Sequence, residues 1–323
     1  MLSKRDLLLG SASGVAALSF ADALFAQGEQ LQLFVPAAPG GGWDQTARMM
    51  EQVLRAEKLL SGVQITNVAG AGGAVGLPQF VNQWKGRPNA LMVSGMVMVG
   101  ALLANKSPVK LAQTTPVARL TGELEVLVVP ANSPIRTGKD FAEALKADPK
   151  KISVAGGSAG GTDHILFGMI GKALGIAPSQ LAYVAYSGGG PAVAAIIGGH
   201  VAAGISGLGE FGEHIKAGKL RAVAVSGAER HANAPDIPTL KEQGIDVELF
   251  NWRGVFAPPG TSPDARGAMI SLMERMSATA TWSEQCAKRD WTPMLLTGDA
   301  YAKFLADETA RVEAILKDLG LAT

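Results

Sequence analysis

Three glycine-dense segments stand where a strand would hand over to a helix, and their repetition restricts the chain to a narrow set of folds. They read LFVPAAPGGGWDQTARMM at 33–50, ITNVAGAGGAVGLPQFV at 65–81 and ISVAGGSAGGTDHILFGMIG at 152–171. A fourth, weaker copy, LAYVAYSGGGPAVAAIIGG, covers 181–199. Glycine carries no Cβ and tolerates positive φ, so such turns leave backbone N–H groups bare at a helix start. Those donors, with the positive end of the helix dipole, favour an anion. Several such turns in one chain predict a ligand with more than one negative charge.

A chain of 323 residues is too long for one ordinary core, and two domains are expected. Residues 1–26 are set apart: Lys4 and Arg5 precede an apolar run at 7–20, and a small-residue cleavage point follows near Ala26. This is the layout of an export signal, and the run is too short and glycine-broken to span a bilayer. The SKRDLL segment also approximates a twin-arginine signal, with Lys4 in the first arginine position. Cutting after Ala26 removes Lys4, Arg5, Asp6 and Asp22, so the formal charge stays at +1. A nearly neutral protein argues against nucleic acid as a partner. Cys286 is the sole cysteine, so no internal disulfide exists, and its place in an amphipathic helical turn predicts a buried, inert thiol.

Strand-like and helical runs alternate. Residues 31–36, 63–68 and 90–94 read as strands, with helices over 45–59 and 75–84. The rhythm restarts with extended runs at 126–129, 152–155, 181–186 and 221–226, and with helices over 138–147, 163–174 and 192–198. A last strand at 254–257 is stopped by prolines, and two long helices follow, from 264 and over 300–319. Such alternation predicts a two-lobed α/β fold, each lobe a mixed sheet flanked by helices, with a hinge between them. One lobe takes 27–125 with 248–323, and the other takes 126–247. Ligands of open α/β sheets bind beyond the carboxyl ends of strands, where the glycine turns lie.

Charge sharpens the expectation. No acid falls between Glu57 and Glu123, and only Asp163 falls between Pro149 and Gly209, so the turns lack side chains that would repel an anion. Buried βα segments, which carry few charges of any sign, give the same pattern.

Enzymatic readings fare less well. GGSAG at 156–160 matches the nucleophile-elbow pattern around Ser158, but the four histidines do not fit a late triad histidine and no oxyanion loop precedes it. The GAGGAVG turn at 70–76 misplaces the third glycine of a dinucleotide fingerprint and lacks the acid that would hold a ribose. No P-loop and no metal-ligand spacing occurs, so neither cofactor nor metal is expected. Asp44 reads as a helix cap or loop organiser, or else as a partner for an amine. Trp43 and Trp252 are ligand walls or interlobe packing. Glu210 binds a ligand hydroxyl, closes the hinge or is simply solvated.

With PAAPGGGWD and TAR at 36–48, NVAGAGG at 67–73, SAGGTDH at 158–164, YSGGGPA at 186–192 and APPGT at 257–261, the chain resembles the TctC-like, or Bug, periplasmic receptors of tripartite tricarboxylate transporters. The resemblance covers essentially the whole chain after the signal. It implies a type II-like periplasmic binding protein that closes on a small carboxylate and delivers it to membrane permease subunits, working as a monomer. Carried over, Gly41, Gly42, Trp43, Asp44 and Thr46 with Ala71, Gly72 and Gly73 grip one carboxylate end from the first lobe. Ser158, Gly161 and Thr162 face the other end from the second. Tyr186, Gly189, Ser206 and Glu210 add contacts, and Ser94 and Trp252 complete the candidate set. Tryptophan after the triple glycine points to the tricarboxylate branch, with citrate as the first choice.

Overall fold

The computed structural model describes residues 30–322, so the export signal expected in residues 1–26 lies outside the described residues. Strands β1 (Leu31–Val35), β2 (Val63–Asn67) and β3 (Ala90–Gly95) alternate with helices α1 (Gly42–Ala56), α2 (Gly76–Gln83) and α3 (Met96–Ala104). β1 pairs parallel with β2 and β3. All six residues of β3 are buried, which fits a continuous apolar run covered on both faces.

The chain then enters β4 (Thr115–Pro130), a single 16-residue strand. Beyond it come α4 (Gly138–Ala147), β5 (Val154–Gly156), α5 (Thr162–Ala173), β6 (Tyr183–Ala185) and α6 (Gly189–Ile197). Next are β7 (Ala203–Gly207), α7 (Leu208–Lys216) and β8 (Leu220–Val225), and the chain returns through β9 (Phe250–Ala257). Helices α8 (Pro263–Ser277) and α9 (Ala280–Ala287), strand β10 (Thr292–Thr297) and helix α10 (Gly298–Asp318) finish it.

The strands form one mixed sheet in the order β2-β1-β3-β9-β4-β7-β5-β6, and β8 and β10 also pair with β4. β4 organises everything else. Its residues 115–124 pair with β9, and 118–122 with β10. Its residues 125–130 pair with β7 and β8 instead. Partners therefore change between Leu124 and Glu125, and the strand itself runs on.

Two apolar clusters follow this split. The larger includes the Phe34, Phe80 and Trp84 rings and a second aromatic group of Trp252, Phe256, Tyr301 and Phe304. The smaller packs Val126 and Val128 of β4 against Ile196, Leu208 and Phe211. Cys286 is fully buried in α9, and burial pushes its thiol up to about 11, which leaves it protonated.

The structure differs from the sequence reading at five elements. The helix expected from 264 breaks at Thr279, whose hydroxyl caps α9 by accepting from the Trp282 N–H at 3.1 Å. The loop expected at 206–210 is the end of β7 running into α7. Helix α3 and strand β10 have no counterpart in the sequence reading, and β4 begins about ten residues earlier than the run at 126–129.

Candidate functional site

Among the described residues, eight of the ten α-helix starts fall into two groups; α2 and α10, which begin at Val75 and Thr297, also lack a side-chain cap. α4, α8 and α9 begin at Thr137, Ser262 and Thr279, each of which accepts a backbone N–H through its side chain. α1, α3, α5, α6 and α7 begin at Gly41, Gly95, Gly161, Gly188 and Gly207, and none has a side-chain cap. The second group keeps its first-turn donors available to something other than its own sequence.

Those five starts meet on the face of β4 and β9 where partners change. Thr121, Glu123 and Glu125 alternate along β4, so period two puts them on one face. Across the ladder Thr121 faces Arg253 and Glu123 faces Asn251. Arg253 is 3% exposed and forms a buried ion pair with Glu123 through Nη2 and Oε1. Its guanidinium stacks 4.4 Å over the Trp291 ring. A methyl group placed on Gly42 would stand 2.6 Å from Arg253 Nη2, and one on Gly207 would meet the Glu123 carboxylate, so only bare glycines fit there. Asn251 Nδ2 donates to Glu125 Oε1 at 2.9 Å, and Thr162 Oγ1 donates to Asn251 Oδ1 at 3.4 Å. Ser206 Oγ donates to Glu210 Oε2 at 2.9 Å, directly beneath Gly189.

The two halves also touch above this floor. A methyl on Gly72, whose φ of +60° suits glycine, would lie 3.6 Å from Ser158 Cβ. Gly100 of α3 abuts the carbonyl of Gly160.

Glu123, Glu125, Asp163 and Glu210 thus gather near one buried guanidinium: the glycine turns carry few acids of their own, but β4 and α7 bring acids to them. Burial pushes the Asp163 carboxyl up to about 7, against the Gly157 N–H that donates to it at 2.6 Å, and the charge of Glu210 adds to the rise. Burial also raises Glu125 well above the usual carboxylate range, and the charges of Asp163, Glu123 and Glu210 act the same way. The Asp163 charge is among those that raise Glu125, so ionising both carboxyls at once is disfavoured. Glu123 is raised by burial, with Arg253 opposing.

A pH dependence follows. An unfolded aspartate releases its proton near 3.8, whereas folded Asp163 holds it to about 7. The folded state binds more protons in that window, so the Asp163 contribution to stability is complete below 3.8 and is lost as pH rises through 7. Asp163→Asn should flatten this decline and stabilise the protein by a few kcal/mol at pH 8 and little at pH 5, measured by urea unfolding. An equal effect at both pH values contradicts the raised Asp163 pKa.

The remaining candidates have identifiable places. Asp44 is committed to its own loop: Oδ2 accepts from Gly40 N at 2.8 Å and Arg48 Nε at 2.7 Å, and Oδ1 accepts from Asn67 Nδ2 at 3.0 Å. Burial alone would raise its pKa, but these donors outweigh it and hold the carboxyl low. Thr46 Oγ1 donates back to the Gly42 carbonyl at 2.8 Å. Trp43 is buried, and its ring edge would lie 3.1 Å from a methyl on Gly73, which places it under the Ala71–Gly73 turn. Ser94 Oγ donates to Met98 Sδ at 3.2 Å. Half-buried Tyr186 ties its N–H to the Gly156 carbonyl at 2.8 Å. Trp252 does not face the floor: it alternates with Asn251 and Arg253, packs on Tyr301 and Phe304, and bonds to Glu308 at 3.2 Å. Ser158 is half-buried, and His164 is the third residue of the helix that follows it. That ring accepts the Gly160 N–H through Nδ1 at 3.1 Å and stacks 4.1 Å from Tyr183. Burial lowers His164 to about 4, so it is neutral at physiological pH.

Sequence reasoning passed over Thr121, Glu123, Glu125, Asn251, Arg253 and Trp291 as site residues. The available signal was polar residues at every second position, in TGELE and NWR, inside otherwise apolar strands.

The architecture has known counterparts. The family model described as "Tripartite tricarboxylate transporter family receptor" matches residues 46–321. Protein BugT of Bordetella pertussis is 30% identical over 319 residues, 95% of this chain and 94% of that protein. Rpa4515 of R. palustris, solved with adipate, superposes with a TM-score of 0.82 at 22% identity, over 91% of this chain and 98% of its own. MatC of Rhodopseudomonas palustris, solved with bound malate, gives 0.77 at 23% identity, over 89% and 98%. The α/β fold is that of periplasmic binding proteins. Among the described residues no helix is long and apolar enough to cross a membrane. By the extent of the family match, the chain belongs to the tripartite tricarboxylate transporter receptor family.

Proposed function

We propose that this receptor is exported to the periplasm, binds a small carboxylate between two lobes and presents it to the permease of a tripartite tricarboxylate transporter. The lobes are residues 27–125 with 248–323 and residues 126–247, and the receptor acts as a monomer. One observation carries the reading: five uncapped, glycine-started helices meet at a floor that holds one buried guanidinium. Backbone N–H groups and Arg253 together supply charge-assisted hydrogen bonds to carboxylate oxygens. The acids oppose this less than their number suggests, because Glu123 is paired with Arg253 and burial favours the neutral forms of Glu125 and Asp163. Contacts made from both halves then favour the closed arrangement, as ligand-driven lobe closure requires.

Citrate or another tricarboxylate is the first reading, since several helix starts and Arg253 offer more than two anion contacts. A dicarboxylate is the alternative, and the relatives solved with malate and adipate favour it; an aromatic acid is a weaker one. Ser158 takes part in binding, not catalysis: His164 is engaged elsewhere, which speaks against a serine esterase.

The test is a thermal-shift screen of the mature protein. Citrate, tricarballylate, malate, succinate and benzoate are compared, since a ligand at 100 times its Kd adds about 2.7 kcal/mol of apparent stability. Tricarboxylates are expected to give the largest shifts. If only benzoate moves the melting temperature, the aliphatic assignment fails.

A further inference from the structure

Most buried side-chain atoms left without a hydrogen-bond partner in the described residues gather at one place. They are Thr121 Oγ1, Glu123 Oε2, Glu125 Oε2 and Arg253 Nη1, all on the β4–β9 floor. Glu125 lies furthest along the strand, and its other oxygen is already held by Asn251. The other three remain, and each belongs to a side chain no more than 3% exposed. An orphaned polar atom in such a place costs free energy unless something else completes it.

The three differ in a useful way. Arg253 Nη1 can only donate, Glu123 Oε2 can only accept while ionised, and Thr121 Oγ1 can do both. Thr121 and Arg253 stand directly across the ladder, and Glu123 is two residues along from Thr121 on the same face. The uncapped start of α1 at Gly42 lies against the same guanidinium. A plain carboxylate would satisfy Nη1 and the helix donors but present only acceptors to Glu123. A carboxylate with a hydroxyl on the adjacent carbon supplies the missing donor as well.

We infer that the floor selects 2-hydroxy carboxylates over their deoxy counterparts, with Arg253 Nη1 anchoring the carboxylate and Thr121 and Glu123 reading the hydroxyl. This rests on the reading of the cleft as a carboxylate site. An ammonium group would also donate to Glu123, but the Arg253 ion pair already neutralises that carboxylate, so a neutral donor fits better.

Calorimetric titration of the mature protein with malate, aspartate and succinate, and with citrate and tricarballylate, tests the inference. Malate should exceed succinate, and citrate should exceed tricarballylate, by about 10- to 100-fold, the ratio that leaving one buried polar group unsatisfied produces. Thr121→Val should bring the malate-to-succinate ratio close to one, and Thr121→Ser should restore it. A merely structural hydroxyl would leave that ratio alone. Equal affinities for the hydroxy and deoxy acids in the unaltered protein overturn the inference and leave the carboxylate reading standing. Preference for aspartate over malate overturns it in favour of an amino acid. Silence towards every acid defeats the underlying reading instead.

Discussion

Replacing Arg253 with methionine should lower stability by about 3–5 kcal/mol, because it strands the Glu123 carboxylate without its partner in a site where neither side chain is more than 3% exposed. Methionine keeps much of the arginine's length, so lost packing against Trp291 is the smaller part of the damage. Glu123 would then face Glu125 and Glu210 with no cation, and its pKa would climb further. The defect is therefore pH-dependent. The penalty is present while the stranded group is ionised and fades as pH falls below its raised folded pKa. Adding Glu123→Gln to Arg253→Met should recover most of the loss, a coupling that a double-mutant cycle in urea measures directly. Additive penalties would mean that the pair is not the source. Carboxylate binding should disappear in the single variant and stay absent in the double, since only the stability defect is repaired.

Gly100→Val is the complementary case, expected to spare the fold and remove the function. Gly100 lies on α3 against the carbonyl of Gly160, and Ile165 Cδ1 would be 2.9 Å from an added methyl. Valine is a better helix residue than glycine, so α3 itself gains slightly. The added volume instead pushes the halves apart, and overpacking of this kind costs up to about 3 kcal/mol. If that penalty falls on the closed arrangement alone, carboxylate affinity drops about 100-fold with urea stability nearly unchanged. Small-angle scattering should show a larger radius of gyration that added ligand no longer reduces. Undiminished affinity would remove the α3–α5 contact from the closure mechanism.

The strands and helices with clear periodicity were legible from residues alone: β1, α1, β2 and α4 lie where alternation and turn chemistry put them. The misses share a physical cause. α3 starts with Met96, Val97, Met98 and Val99, an apolar run whose lack of a polar face hides the helical period. β7, AGISG, is buried at every position and glycine-rich, so it reads as a loop. The floor was hidden for a subtler reason. Glu123 and Glu125 look like interruptions of an apolar strand, when they are in fact its one polar face, and only pairing with β9 brings Arg253 opposite. Acid-free stretches of sequence described the turns correctly but said nothing about acids arriving from other strands.

β4 runs through both halves of the sheet as a single extended ribbon, with no loop where its partners change. A connection of that kind resists free swinging; any opening has to be taken up as torsion spread over β4 and β9. The ladder of β4 with its partners therefore sets the limit on any such opening, since a larger one would break its hydrogen bonds. Slow hydrogen exchange at the amides of Leu124 and Glu125, with and without ligand, would be the signature of that limit.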